Sequence, residues 1–392
     1  MSTILQLVAL AVYSMVVSAS VDKVSFTNVG FGGSFTPVKK LSNIDSDSCT
    51  CEVDSAEYFS GANSPLADYL SVHFRGPLTL SKFAFYSSNS FVINNNRSSD
   101  DWSRLAYYDS ADQISQNVTF LTKAGDDSPC LGKALTYASA NGTGAASDST
   151  ILEDNNYISS DLEYAIFSNI SCPSSGTGKG CGVYRDGIPA FYGFYGVTKM
   201  FLFEFELPTE TQSNSTSFEY YDLPAIWLLN DHIPRTSQYP NNANCSCWAS
   251  GCGEYDIFEA MNGTEHNNLY STFHTYQGIS DLGTGIQAYQ AFARDTSNVM
   301  RGGVIFDSDG NVVSFLSSST TFESTYSASD VIALVNGIST NETYSSQLAS
   351  ISAASTTSSK SKNGAGSLLP NNNTFMYYLA TIVTTFLHVF VI

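Results

Sequence analysis

The sequence predicts an all-β protein whose main domain is a β-sandwich, and three observations lead to this prediction. Only 14% of the residues are charged, whereas exposed helix faces normally carry many Lys and Glu side chains. Aromatic residues, which favour strands, make up 13% of the chain. Short stretches alternate at the strand period, as at Phe201, Phe203 and Phe205, and no helical period is sustained. Many short strands joined by polar loops are typical of a sandwich.

Length and charge bound the possible functions. The chain has 392 residues, enough for one large domain or two ordinary ones. Its 17 Lys and Arg and 36 Asp and Glu residues give a formal net charge of −19. Such a chain repels phosphate backbones, so we expect no nucleic-acid partner. No pattern predicts a cofactor, and the oligomeric state is not predicted.

The N-terminus carries a targeting signal. Residues 4–17 form a short apolar run, and the small residues Ser18 and Ala19 follow it as in a secretory cleavage site. We therefore predict a signal peptide over residues 1–19. The alternative is a buried N-terminal strand.

Between the two ends we predict three segments. Residues 20–93 read as a small N-terminal β-rich region, and the Asn- and Ser-rich stretch after it marks a boundary. Residues 100–337 hold the stronger strand signals and form the sandwich domain. Residues 338–363 are rich in Ser and Thr, a composition that cannot bury a core and suits an O-glycosylated stalk.

The C-terminus has the pattern of a glycosylphosphatidylinositol (GPI) attachment signal. Residues 375–392 are apolar to the last residue, with no basic residue after them. A polar spacer and a small-residue triplet that begins at Asn363 precede this run. We predict attachment at Asn363, removal of residues 364–392 and a GPI lipid anchor. The alternative is a tail-anchored helix.

Glycosylation and cysteine patterns agree with a secreted chain. The Asn-x-Ser/Thr acceptors begin at Asn96, Asn117, Asn141, Asn169, Asn214, Asn244, Asn262, Asn341 and Asn372. The eight cysteines suggest disulfides in that compartment. Cys49 and Cys51 are poor mutual partners because of their spacing. Cys245, Cys247 and Cys252 form an odd cluster, so we expect one of them to pair with a distant cysteine. A zinc site that joins this cluster to His232 is the alternative, although the spacing fits no standard pattern.

The most informative segment holds three carboxylates, Glu254, Asp256 and Glu259, within six residues that otherwise favour a strand. Clustered like charges are unfavourable in a strand, and such a broken rule is typical of a working site. In a regular strand Glu254 and Asp256 share one face and Glu259 points to the other. We predict a β-bulge between Asp256 and Glu259, which restores the common face. The alternatives are a solvated strand edge and a metal site.

Two glutamates on one face suit retaining glycoside hydrolysis. In that chemistry an ionised carboxylate attacks the anomeric carbon, and a protonated one, roughly 5 Å away, donates to the leaving oxygen. Crowded carboxylates do not all ionise easily, so one of them keeps its proton near neutral pH. Asp256, between the two glutamates, helps to order these protonation states.

The pattern Glu254-x-Asp256-x-x-Glu259 resembles the bulged signature of laminarinase-like members of glycoside hydrolase family 16. Further resembling segments flank it in the same order, at residues 195–196, 203–208, 224–229 and 269–275. The lead-in to Glu254, the N-terminal β-region and the C-terminal signal more closely resemble a fungal family of GPI-anchored cell-wall proteins related to those hydrolases. This second resemblance covers nearly the whole mature chain.

The resemblance implies a concanavalin-like jelly-roll sandwich with a glucan cleft. It implies Glu254 as nucleophile, Asp256 as its helper and Glu259 as acid/base. It also implies cleavage or rearrangement of β-1,3-glucan. We predict no metal at the site.

Flat aromatic faces beside polar groups bind sugars, so Trp227 and Trp248 are our stacking candidates. Core packing is the alternative for Trp227. His274 is expected to hydrogen-bond the sugar or Asp256, unless its role is structural.

Two functional hypotheses follow from the sequence. The first is a wall-anchored retaining β-1,3-glucanase or transglycosylase at the outer face of the plasma membrane. The second is a non-catalytic glucan-binding or structural cell-wall mannoprotein. A pure binder has no need of the complete carboxylate trio, so the trio favours the enzyme.

Overall fold

The computed structural model describes residues 20–93, 99–213 and 218–351 of the chain. In chain order the strands are β1 (Lys23–Thr27), β2 (Gly33–Phe35), β3 (Val38–Ser42), β4 (Thr50–Val53), β5 (Glu57–Phe59), β6 (Leu70–Arg75), β7 (Thr79–Ser87), β8 (Trp102–Asp109), β9 (Ile114–Gln116), β10 (Thr119–Thr122), β11 (Thr136–Ala138), β12 (Ala145–Ala146), β13 (Glu163–Phe167), β14 (Lys199–Glu206), β15 (Ala225–Asn230), β16 (Glu254–Ala260), β17 (Asn268–His274), β18 (Ile286–Gln287), β19 (Phe292–Ala293), β20 (Met300–Phe306), β21 (Val312–Leu316), β22 (Thr325–Tyr326) and β23 (Thr343–Gln347). Among these residues the α-helices are α1 (His232–Thr236) and α2 (Ala328–Asn336).

The strands form two large sheets and two small ones. Sheet I has nine strands in the order β22-β8-β7-β14-β20-β21-β1-β23, with β9 attached to β8. Sheet II has ten strands in the order β12-β11-β10-β13-β6-β15-β16-β17-β18, with β19 attached to β17. The small sheets are β2-β5 and β3-β4. The prediction of an all-β chain is confirmed.

The inward faces of sheets I and II pack on each other through aromatic side chains. The ring of Phe26 in β1 lies 5.0 Å from that of Phe273 in β17. The ring of Phe205 in β14 lies 5.7 Å from that of Phe258 in β16. All four rings are buried in one hydrophobic cluster that draws on both sheets. Two sheets that share one such core form a β-sandwich, as the sequence predicts.

The N-terminal region contributes strands to both large sheets. Residues 20–93 supply β1 and β7 to sheet I and β6 to the middle of sheet II. The sequence boundary at 94–99 separates β7 from β8, yet these two strands pair with each other. The boundary in the sequence is therefore not a boundary between sheets. The first and last strands, β1 and β23, are parallel neighbours in sheet I.

A helix and aromatic side chains cover the outer face of sheet I. Val331 and Val335 of α2 are buried in one cluster with Met200 and Leu202 of β14. Trp102 of β8 is fully buried in the same cluster. Sheet I therefore buries apolar side chains on both of its faces.

All eight cysteines form disulfides, and the pairs are Cys49–Cys130, Cys51–Cys245, Cys172–Cys181 and Cys247–Cys252. Cys49 and Cys51 bond to different partners, and Cys245 bonds to a distant cysteine, as expected from their spacing. A structural zinc site requires free thiolates. The zinc alternative for the cluster around Cys245 is therefore wrong.

The C-terminal end of the fold lies later than the sequence suggests. The predicted stalk begins at residue 338, yet Thr343–Gln347 forms β23 and pairs with β1. That start is therefore too early, because a Ser- and Thr-rich segment completes the edge of sheet I. The predicted signal peptide, Asn363 and the GPI propeptide lie outside the described residues. Within residues 20–93, 99–213 and 218–351, none of the helices has the length and apolar character needed to cross a membrane.

Candidate active site

A bulge in β16 brings the three carboxylates to one face. The register of β16 shifts by one residue against both β15 and β17 between Asp256 and Glu259. Ile257 and Phe258, the two residues in this interval, are both fully buried in the core between the sheets. Two successive inward side chains return Glu259 to the outer face of sheet II, with Glu254 and Asp256. The bulge predicted from the sequence is present.

Asp256 forms an ion pair with His274 of β17. The Nε2 atom of His274 lies 2.9 Å from Oδ2 of Asp256, and its Nδ1 atom bonds to the carbonyl of Leu282. Burial by itself lowers the pKa of His274, but the charge of Asp256 and the hydrogen bond to it outweigh burial and raise the pKa to about 10. His274 is therefore a cation near neutral pH, and both of its ring nitrogens donate to protein oxygens.

Glu254 accepts a hydrogen bond from the indole Nε1 of Trp248. Trp248 begins a 3-10 turn, Trp248–Ser250, that the Cys247–Cys252 disulfide encloses just before β16. Burial raises the pKa of Glu254 well above its usual value, and the negative charge of Asp256 raises it further. The charge of His274 and the hydrogen bond from Trp248 favour the ionised form and oppose this rise, and the resulting pKa is about 8. The disulfide loop thus fixes a donor that stabilises the carboxylate of Glu254.

Arg75 of β6 reaches Glu259 across β15. Its Nη2 atom donates to Oε1 of Glu259 at 3.1 Å. Ala225 lies between these two residues in the strand register, and its methyl group leaves the guanidinium room to pass. The guanidinium is also held by the carbonyl of Leu223 at 2.8 Å and lies 4.2 Å from the centre of the Tyr220 ring. Arg75 is therefore fixed in position.

Opposing effects act on the pKa of Glu259. Burial and the charge of Asp256 raise the pKa of Glu259, whereas Arg75 opposes the rise, and the result is a pKa of about 7. Its side chain is 20% exposed, so it remains in contact with solvent. A carboxyl group that titrates near neutral pH suits proton transfer.

Trp227 forms part of the floor of the site. Its side chain lies opposite Asp256 and His73 in the strand register, and its ring lies 5.3 Å from the imidazole of His73. It is only 4% exposed and packs with Phe35 and Leu229. Trp248, by contrast, is partly exposed.

Sequence reasoning missed His73 and Arg75. The alternation in β6 places both on one face, and an arginine in a buried strand was the available signal. The pairing of β6 with β15, about 150 residues later in the chain, was not readable from the sequence.

Two family models match the chain. The C-terminal model of the cell wall protein YJL171C/Tos1 matches residues 100–334, and the N-terminal model of the same protein matches residues 22–88. These two segments meet near the sequence boundary at 94–99. No solved structure matches the chain significantly.

Curated relatives extend the similarity over nearly the full chain. A Saccharomyces cerevisiae protein named "probable circularly permuted 1,3-beta-glucanase YJL171C" is 63% identical over 95% of this chain and 94% of its own length. A Candida albicans protein, "probable circularly permuted 1,3-beta-glucanase PGA52", is 51% identical over 93% of this chain and 94% of its own length. The S. cerevisiae protein named "probable circularly permuted 1,3-beta-glucanase TOS1" is 38% identical over 58% of this chain and 48% of its own length. The chain belongs to the YJL171C/Tos1 family of cell wall proteins.

Proposed function

We propose that the chain is a cell-wall enzyme that hydrolyses or rearranges β-1,3-glucan with retention of configuration. The observation that carries this proposal is the bulge in β16, which brings Glu254, Asp256 and Glu259 to one face of sheet II. The names of the relatives support the choice of substrate. The bulged pattern of carboxylates also supports a relation to glycoside hydrolase family 16.

In the proposed mechanism Glu254 is the nucleophile and Glu259 is the acid/base. Glu254 and Glu259 titrate as a coupled pair, and in the reactive form the proton lies on Glu259, because the hydrogen bond from Trp248 and the charge of His274 favour ionised Glu254. Ionised Glu254 attacks the anomeric carbon while Glu259 donates its proton to the glycosidic oxygen, which leaves with its part of the chain. Water or a sugar hydroxyl then breaks the bond between the sugar and Glu254, and its proton passes to Glu259. Water gives hydrolysis, and a sugar hydroxyl gives transglycosylation.

Asp256 orders the protonation states of the two glutamates in this proposal. Its negative charge raises the pKa of both Glu254 and Glu259, which favours the presence of a proton on the pair near neutral pH. His274 compensates the charge of Asp256 from the opposite side. Its ring nitrogens are both engaged, so we assign His274 a positioning role through Asp256 rather than a contact with the sugar.

The two tryptophans receive different roles in the proposal. Trp248 is partly exposed beside Glu254 and is the proposed stacking surface for a sugar ring. Trp227 is nearly buried, and we propose that it supports the site from below. Attachment through a GPI lipid at Asn363, and a place at the outer face of the plasma membrane, remain proposals that rest on the C-terminal signal.

The test is to incubate the secreted protein with β-1,3-glucan oligosaccharides and to separate the products by size. Shorter products alone indicate hydrolysis, and longer products indicate transfer. A fluorinated glucosyl donor that slows the second step should trap a covalent adduct, which peptide mass spectrometry should locate on Glu254.

Three outcomes would change the proposal. A label on Glu259 reverses the two roles. A label on neither glutamate, with turnover intact, excludes the double displacement. Binding of glucan without any new reducing ends favours the alternative, a non-catalytic wall mannoprotein.

A further inference from the structure

A row of alternating charges crosses sheet II, starting at Glu259. Glu163 of β13, Arg75 of β6, Ala225 of β15 and Glu259 of β16 are direct register partners across four neighbouring strands. Lys123, the residue after β10, extends the row with its Nζ atom 2.5 Å from Oε2 of Glu163. Three strand spacings separate β13 from β16, so Glu163 lies about 14 Å from Glu259.

An aromatic ring is fixed at the far end of this row. The hydroxyl of Tyr239, in the segment after α1, donates to Oε1 of Glu163 at 3.0 Å. The ammonium of Lys123 lies 3.9 Å from the centre of the Tyr239 ring. Gln238 donates to the hydroxyl of Tyr239 at 3.0 Å. Tyr239 nevertheless remains 50% exposed, whereas the side chain of Glu163 is only 7% exposed.

This arrangement has the features of a sugar-binding surface. An aromatic ring that is already held in place loses little conformational entropy when a ligand binds. Lys123, whose side chain is 22% exposed, offers a donor to a sugar hydroxyl, whereas the buried carboxylate of Glu163 holds Lys123 and Tyr239 in place. The two charges neutralise each other, so the surface suits a neutral sugar better than an ion. No catalytic role of the candidate active site requires these three residues.

We infer that Lys123, Glu163 and Tyr239 form a remote subsite for one sugar unit of the glucan chain. The unit stacks on Tyr239, Lys123 donates to one of its hydroxyls and Glu163 holds both residues in place, about 14 Å from Glu259 along the row. This inference deepens the proposed function, since it assigns the enzyme a preference for chains long enough to reach from the cleaved linkage to Tyr239.

The test compares Tyr239→Ala with the wild-type protein over a series of β-1,3-glucan oligosaccharides of increasing length. We expect kcat/KM to fall on the order of tenfold for chains that reach the remote subsite. Shorter chains should react as with the wild-type protein. Tyr239→Phe keeps the ring and should lose less. The matched control is Tyr289→Ala, which removes another tyrosine that is 87% exposed and should change nothing.

Equal losses at every chain length, no loss at any length, or the same loss in Tyr289→Ala would overturn the remote subsite. Calorimetric binding in the Glu254→Gln background separates this inference from the enzymatic proposal. Length-dependent binding that needs Tyr239, in a protein that never cleaves glucan, keeps the subsite and rejects the enzyme. Cleavage by the wild-type protein without any effect of Tyr239→Ala keeps the enzyme and rejects the subsite.

Discussion

Sheets I and II share one core, but their outer faces differ in what they hold. On sheet I the outward positions pack apolar side chains such as Met200 against α2. On sheet II the outward positions of the central strands hold Arg75, His274 and the three carboxylates. Buried charges are costly even when paired, whereas apolar burial stabilises a fold. The outer face of sheet I therefore contributes stability, whereas the part of sheet II around the carboxylates gives up stability for chemistry.

The two sheets also differ in how exposed their ion pairs are, as one pair on each sheet shows. Glu204 of β14 pairs with Arg301 of β20 on sheet I, and Glu259 pairs with Arg75 on sheet II. The side chain of Arg301 is 42% exposed, whereas that of Arg75 is 5% exposed. Glu204 itself is only 11% exposed, so water reaches and weakens this pair from the arginine side. A charge in a buried pair is coupled to its neighbours, and here the neighbours are Asp256 and Glu254.

The largest expected effect is on turnover, and it distinguishes Glu259 from Glu204. Glu259→Gln should lower the turnover of β-1,3-glucan on the order of 10³-fold, because the amide neither donates nor accepts the transferred proton. Its cooperative unfolding should be retained, since the amide oxygen still accepts from Arg75. Glu204→Gln, the matched control, should leave turnover within about twofold of the wild-type rate. Initial rates and thermal unfolding curves measure both effects. Comparable turnover in the two variants would remove Glu259 from the mechanism.

The next effect tests the face of sheet I. Trp102→Ala removes a fully buried ring from the cluster beneath α2 and should cost about 3–5 kcal/mol of unfolding free energy. Denaturant unfolding followed by circular dichroism measures this loss. Turnover per folded molecule should stay unchanged, because the ring does not belong to sheet II. A loss of turnover in the folded fraction would mean that the two faces are coupled through the core.

The comparison also explains which parts of the molecule the sequence predicts. The bulge could be predicted because side chains alternate between the two faces of a strand. Glu254, Asp256 and Glu259 share a face only if an extra residue lies between Asp256 and Glu259. The hairpin of β20 and β21 is local in the same way, because an Asp- and Gly-containing turn at residues 307–311 joins two short apolar runs. Both depend on neighbours in the chain.

The partners of the carboxylates depend on distant pairings instead. Arg75 lies 184 residues before Glu259, and β6 reads as an ordinary strand until its place between β13 and β15 is known. The contact between Glu163 and Tyr239 could not be predicted from the sequence for the same reason. Strand order in a sandwich is set by the global packing of both sheets, which no local pattern encodes.

The smallest expected effect concerns pH, and its sign follows from the raised pKa of Glu259. The value is about 7 in the folded protein, against an ordinary value of 4.5. Between these two values the folded state binds more protons than the unfolded state, so this residue lowers stability progressively as the pH rises from about 4.5 to about 7. Below 4.5 and above 7 its contribution is constant.

Glu259→Gln removes this contribution. The unfolding free energy of the variant relative to the wild-type protein should therefore increase between about pH 4.5 and about pH 7. Carboxyl groups remote from the site titrate alike in both proteins and cancel in the difference. The pKa of Glu254 falls in the variant because the charge of Glu259 no longer raises it, and this change has the same sign. Parallel denaturant titrations of the variant and the wild-type protein across this range measure it. A difference that falls with pH for Glu259→Gln would mean that Arg75 stabilises the charged carboxylate more than burial and Asp256 oppose it. Glu259 would then be ionised near neutral pH and unable to act as the acid.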